Sequence, residues 1–394
     1  MQREPGAVKV AHITTIDLSL RFMMLNQLRY LMGAGYEISG ISAPGEHARV
    51  VAEAGVHYIP VPMTRRVTPL ADLLSLVKLI QVMRRERFTV VHTHTPKPAL
   101  IGQLAARIAR VPVVVNTLHG LVHREDTPRV KRRLLILLDT LCATMSDLIL
   151  SQNPEDIETC VNERIAPREK LRFLGNGIDI RRFDPARIPA ETTARLREEL
   201  GIAPEDRVVG FVGRLVVEKG LLELVEAIDR VAEKVPTVRL LVVGPSGGEK
   251  SDAMSMEDAR FDRVRRRAVF TGLRDDMPEV FSLMDVLALP SHREGYPRTP
   301  MEAAAMKKPA VVTDITGCRE TVQHGVNGYL FPKGDARALA ERIEELLLDT
   351  GRARAFGEAG RKLAEERFDE LKVFQIVADA YRELLEKKGL AAPG

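Results

Sequence analysis

Residues 285–320 restrict the fold more than any other stretch. Asp285 to Leu289 is a short apolar run of the kind a buried strand makes. Pro290 ends it, and a turn-rich loop follows with Glu294, Gly295, Tyr296 and Pro297. A helix is expected next, with Thr299 as N-cap, Pro300 at the first helical position and Glu302 at the third. Pro309 closes that helix, and Ala310 to Val312 begins another strand. The unit is strand–loop–helix–strand, and its loop leaves the C-terminal end of a strand. Open parallel sheets bind ligands at that edge. Glu294 and Glu302 stand eight positions apart, a spacing that says little by itself. Glu302 also has a purely structural reading, because Thr299-Pro-Met-Glu302 spells a capping box.

The same alternation of strand and helix runs along the chain twice, which predicts an α/β protein of two doubly wound, Rossmann-like domains. At 394 residues the chain is too long for one ordinary core. Val8 to Thr14 reads as the first strand. The loop after it, Thr14-Thr-Ile-Asp-Leu-Ser19, is not G-x-G-x-x-G, which argues against a dinucleotide dehydrogenase. Solvation of that loop is the favoured reading of Asp17 and Ser19. Pro69 to Arg87 is expected to be an amphipathic helix with Leu70, Leu73, Leu74, Val77, Ile80 and Val82 on its apolar side. Pro128 to Met145 begins with a basic run and continues with leucines. It reads equally as a helix at an anionic membrane face and as an inner helix with a solvated start.

A second strong signal opens the second domain. Val208 to Val212 reads as a strand, its loop carries Gly213, Arg214, Glu218, Lys219 and Gly220, and a helix follows. Two cations fixed at a helix mouth suit a diphosphate and the charge it gains on leaving. The spacing is not that of a P-loop, so NTPase chemistry finds no support. In the first domain a strand leads into His92-Thr-His94-Thr-Pro-Lys97, where Lys97 is a candidate anion contact at a helix start. His119-Gly120 follows another buried strand. Metal ligation is disfavoured at His92 and His94, which lack a third ligand at suitable spacing, and at Asp275 and Asp276.

The string Pro290-Ser…Glu294-Gly-Tyr-Pro…Met301-Glu-Ala…Lys308-Pro-Ala-Val…Asp314…Gly317-Cys-Arg-Glu320 resembles the donor-site signature of retaining nucleotide-sugar glycosyltransferases of the GT-B fold (family 4, or group 1). Gly213-Arg214…Glu218-Lys219-Gly220 and Asn176-Gly-Ile-Asp179 resemble the same family in register. The resemblance implies two facing Rossmann-like domains, 1–183 on the acceptor side and 184–369 on the donor side. It also implies an interdomain cleft and a last helix, within 370–394, that crosses back to the first domain. Residue by residue, it implies that Arg214 and Lys219 hold the diphosphate, with Gly213 leading into that loop. Glu294 meets the sugar and Glu302 the ribose. Backbone amides from Gly295 through Tyr296 and Thr299 to Met301 help bind phosphate, the nucleobase lies near Leu273, and His119 contacts the transferred sugar. The co-substrate implied is a nucleoside-diphosphate sugar, with uracil the commonest base. No metal and no other cofactor are implied. The first loop departs from the Gly-Gly loop of many members. Two other classes fit: a nucleotide-sugar 2-epimerase of the same fold, and a non-catalytic sugar-binding protein.

Charge is uneven. Residues 1–183 carry 25 Lys and Arg against 17 Asp and Glu, a net +8, and the remainder is net −4. A basic first half suggests anionic partners, and a lipid-linked glycan acceptor at the inner face of a membrane is the expectation. Nucleic acid is disfavoured, since 12 Phe, 6 Tyr and no Trp accompany no recognisable binding module. Three unpaired-looking cysteines, no run of 18 apolar residues and no apolar leader fit a cytoplasmic enzyme.

Overall fold

In parallel sheets covered on both faces, strands read as near-continuous apolar runs, as Val238–Val243, Val286–Leu289 and Ala310–Thr313 do here. The computed structural model describes residues 8–123, 127–246 and 252–393. These residues divide into two compact units, Met1–Gly175 with Leu371–Gly394, and Asn176–Glu370.

Unit 1 holds β1 (Lys9–Ile16), β2 (Glu37–Ala43), β3 (His57–Pro60), β4 (Val90–His94), β5 (Val113–Leu118), β6 (Leu148–Ser151) and β7 (Leu171–Phe173). They pair in the order β3-β2-β1-β4-β5-β6-β7, all parallel. Successive strand residues feed opposite faces, as the period of two requires. Val10, Val90, Val113 and Val115 enter one core, and Ala11, Ile13, Val91 and Val114 the other. The helix Glu370–Lys387 covers the first of these faces with Val373, Phe374, Val377 and Tyr381.

Unit 2 holds β8 (Arg207–Val212), β9 (Val238–Val243), β10 (Ala268–Gly272), β11 (Val286–Leu289), β12 (Ala310–Thr313) and β13 (Gly328–Phe331). Their order is β10-β9-β8-β11-β12-β13, again parallel. The chain enters and leaves this unit side by side, through a parallel bridge between Ile178 and Asp369. The domain boundary expected at 183/184 lies inside unit 2, because the division falls at 175/176. Among the described residues no helix is long and apolar enough to cross a membrane.

Three local expectations are corrected. The segment Thr14–Ser19 is not a solvated loop: β1 runs to Ile16 and a helical turn starts at Asp17. Asp17 and Ser19 are buried, and the Asp17 carboxylate accepts from the amides of Leu18 and His47. The helix Pro69–Glu86 turns Ser75, Leu79 and Met83 inward, while Leu70, Leu73, Leu74 and Val77 face solvent. Burying Ser75 is possible because its hydroxyl donates to the carbonyls of Pro62 and Ala71. In the helix Arg129–Met145, Val130, Leu134, Leu137 and Leu141 likewise lie exposed, so it is not an inner helix.

Candidate active site

In each sheet the strand order reverses at one point, and there the loops leaving neighbouring strands diverge and open a crevice. In unit 2 that point lies between β8 and β11. The loop after β8 carries Arg214 and Lys219, and the loop after β11 carries Glu294 through Met301. Two residues bring the loops together. Gly220 has φ +72, and a Cβ there would fall 1.9 Å from the Pro290 carbonyl oxygen, so only glycine fits. The His292 amide donates to the Glu218 carbonyl at 2.9 Å. Lys219 Nζ then donates to Glu294 Oε1 at 2.6 Å, in a pair whose side chains are 20% and 10% exposed. Arg214 is half-buried and pairs with no side chain among the described residues. The chain after β9 braces this loop: Asp252 accepts from the Glu218 amide, and Met254 is buried. Residues 247–251 lie outside the described residues.

The helix after β11 spans Arg298–Ala305 and is capped by Pro297 without a side-chain hydrogen bond. The expected N-cap, Thr299, therefore sits inside the first turn, and the Thr299–Glu302 capping box does not form. Pro300 is tolerated because first-turn amides have no intrahelical partner. Those amides also carry the positive end of the helix dipole, which favours an anion. The Glu302 side chain is mostly buried, 14% exposed. Burial pushes its carboxyl above the ordinary Glu range, and the charges of Arg298 and Arg182 pull it back. The nearest cation, Arg298 Nε, stands 3.9 Å away. Tyr296 and Met301 are buried. Burial holds the Tyr296 hydroxyl at about 12, and its carbonyl accepts from Asn176. Gly317, at φ +85, lets β12's loop approach the Gly295 carbonyl. Leu273 follows β10 at the same sheet edge and is 56% exposed.

Unit 1 reverses between β1 and β4, and its side chains there are of another kind. His12 on β1 and His92 and His94 on β4 are fully buried in the sheet. His119 follows β5. His94 Nδ1 lies 3.3 Å from His119 Nε2, and His119 Nδ1 lies 3.0 Å from Gln152 Oε1. Burial lowers His119 to about 4 and His12 to about 3, and with help from neighbouring rings it holds His92 and His94 well below the ordinary imidazole range. The third histidine that sequence spacing did not supply is thus His12, about 80 positions away. One nitrogen from each of His12, His92 and His94 lies within 4.8 Å of the others, close enough for one metal ion. All six of their ring nitrogens already have protein partners.

The structure does not bring Lys97 to an open anion site. Its ammonium donates to Asp72 Oδ1, Thr64 and the Arg66 carbonyl. Asp276 is held bidentately by Arg274 rather than paired with Asp275. Sequence reasoning missed His12, Gln152 and Tyr381, because each sits in a segment that reads as plain strand, loop or amphipathic helix.

Residues 192–363 match the family described as Glycosyl transferases group 1, and residues 22–177 a Glycosyl transferase 4-like domain. The capsular polysaccharide biosynthesis glycosyltransferase CapM of Staphylococcus aureus is 28% identical over 384 residues, 96% of this chain and 98% of its own. An Escherichia coli protein, named UDP-Gal:alpha-D-GlcNAc-diphosphoundecaprenol alpha-1,3-galactosyltransferase, is 27% identical over 346 residues, 85% of this chain and 87% of its own. Among solved structures, HepE of Anabaena in complex with UDP and glucose matches with a TM-score of 0.81 at 22% identity, over 95% of this chain and 100% of its own. That likeness is one of fold.

Proposed function

The chain belongs to the group 1 glycosyltransferases, with relatives in polysaccharide biosynthesis, and on that premise we propose that it moves a sugar from a UDP-sugar to a lipid-linked saccharide with retention of configuration. The observation that carries this reading is the switch point of unit 2. There an Arg214 with no side-chain partner among the described residues, a Lys219 shared with Glu294 and a helix N-terminus lie at one sheet edge. An ammonium has three donors, so Lys219 can keep Glu294 and still bind a phosphate oxygen. As the glycosidic bond breaks, negative charge grows on the diphosphate, and two cations already in place stabilise it without reorganising. Glu302 takes the ribose: two hydroxyl donors offset the burial of its carboxylate. Glu294, held by Lys219, meets the sugar, and unit 1 supplies His119. The nucleotide sugar is a co-substrate, and the scheme calls on no metal and no other cofactor.

The acceptor is proposed from unit 1. Leu70, Leu73, Leu74 and Val77 on one helix, and Val130, Leu134, Leu137 and Leu141 on another, lie exposed beside Arg65, Arg66, Lys78, Arg129, Lys131 and Arg133. Apolar faces flanked by cations suit an anionic membrane surface, each cation adding about 1 kcal/mol. These faces support the reading that the enzyme works at the inner face of the plasma membrane on a lipid-linked acceptor.

A screen of UDP-, GDP- and ADP-sugars tests the reading, with thermal shift and nucleotide release read with and without a polyprenyl-diphosphate saccharide. A UDP-sugar that stabilises the protein and releases UDP only with acceptor is expected. Interconversion of two nucleotide sugars without acceptor would make it an epimerase, and tight binding without turnover a binding protein. Flotation with anionic liposomes at low salt checks the membrane face; recovery in the pellet would remove it.

A further inference from the structure

The buried histidines of unit 1 are joined into one line. Thr117 Oγ1 lies 2.7 Å from His92 Nε2, and His92 Nδ1 lies 2.5 Å from the Tyr381 hydroxyl. That hydroxyl lies 3.2 Å from His12 Nε2, and His12 Nδ1 lies 3.0 Å from His94 Nε2. His94 Nδ1 reaches His119 Nε2 at 3.3 Å, and His119 Nδ1 reaches Gln152 Oε1 at 3.0 Å.

A neutral imidazole has one N–H and one bare nitrogen. Burial keeps all four rings neutral. The protons in such a line can then be placed in one way only once an end is fixed. Gln152 Oε1 is a carbonyl and can only accept, so His119 donates from Nδ1 and its Nε2 is bare. His94 must therefore donate from Nδ1, and His12 from its own Nδ1. Tyr381 donates to His12 and accepts from His92 Nδ1, and Thr117 donates to His92 Nε2. Every ring is the Nδ1–H tautomer and every polar atom is satisfied.

We propose that His12, His92, His94 and Tyr381 are positioning residues: their one-way hydrogen-bond line fixes the ring and tautomer of His119, so that His119 offers the transferred sugar a bare Nε2. This rests on the glycosyltransferase reading for its purpose, though not for its geometry. The link at His119 Nε2 is the longest of the six, and there a sugar hydroxyl can replace His94 as donor. The opposite tautomer would present an N–H, which a hydroxyl meets only with its oxygen. A metal ion among His12, His92 and His94 would break the line, since three of the nitrogens it uses would become ligands. The fully engaged rings favour protons over metal.

Nitrogen-15 NMR of histidine-labelled protein at pH 7 reads the tautomers directly, and the chain has only 9 His. Four neutral Nδ1–H rings are expected. Nε2–H at His119, a charged ring in the line, or a stoichiometric metal in the purified protein would overturn the proposal. Tyr381→Phe keeps the ring in its core but removes the hydroxyl. It is expected to mix the tautomers of His12 and His119 and to lower kcat about tenfold, the worth of one orienting hydrogen bond, with KM for the donor and affinity for UDP unchanged. Unaltered kcat in a folded Tyr381→Phe protein would also overturn it. If the wild type transfers no sugar to any acceptor, the glycosyltransferase reading fails, while the NMR result still decides whether the line exists.

Discussion

The two units reverse their strand order in the same way and furnish the reversal oppositely. Unit 2 places charges on loops and partly exposed: Lys219 and Glu294 paired with each other, and Arg214 with no side-chain partner among the described residues. Unit 1 places neutral rings inside strands, buried and fully bonded: His12, His92 and His94. A charged site has to stay partly wet, because burying unpaired charge costs more than binding returns. A neutral one can be dry, and burial then keeps it neutral.

The largest effect expected of that difference is in acid. The four line histidines have folded values lowered by burial, to about 3 for His12 and about 4 for His119. The unfolded chain binds protons at the ordinary value of about 6.5. Their stabilisation is therefore complete above about pH 6.5 and is lost as pH falls towards the folded values. The loss is about 1.4 kcal/mol per pH unit for each ring, roughly 5 kcal/mol per unit for four. Carboxylates held low in unit 2, such as Asp258 at about 2 and Asp276 beside Arg274, release stability only at lower pH. Hydrogen exchange at pH 7 and pH 5 should show unit 1 peptides losing protection first. Equal loss in both units would erase the contrast.

Next in size is the cost of removing a cation from unit 2. Arg214→Ala is expected to lower kcat about a hundredfold or more, as loss of a transition-state charge contact does. Its melting temperature should be unchanged, because the guanidinium has no partner among the described residues to lose. Near-normal turnover would take Arg214 out of the mechanism.

The smallest effect concerns Glu302. Its folded value is raised by burial, so the ionised carboxyl works against folding above that value. Glu302→Gln should raise the melting temperature at pH 7, on the order of 2 °C, while weakening nucleotide binding. The gain should vanish below about pH 4, where the unfolded carboxyl is protonated too. A variant less stable than wild type at pH 7 would show that Arg298 and Arg182 outweigh burial.

The contrast also explains what could be read from sequence. Glu294, Glu302, Arg214 and Lys219 follow strand ends within short, turn-marked segments, where local chemistry names the site. The doubly wound order came from strand and helix periodicity, which is local too. The histidine line was not legible, because parallel pairing sets His12 beside His92 and His94, and Tyr381 arrives from the last helix. The helix Pro69–Glu86 carries two apolar stripes, and packing rather than residue count chose the one with Ser75, Leu79 and Met83. The helix after β11 begins at Arg298 because Pro297 already has an extended, capping backbone, a shift of two residues that takes Thr299 out of the cap.

The central claim is that the switch point of unit 2 binds the nucleoside diphosphate of a sugar donor. Calorimetric titration of UDP into the wild type, Lys219→Ala and Glu302→Ala tests it most directly. Saturable binding to the wild type is expected, weakened about tenfold or more in each variant, as loss of a charge-assisted contact implies. Full affinity in both variants would place the nucleotide elsewhere and contradict the account.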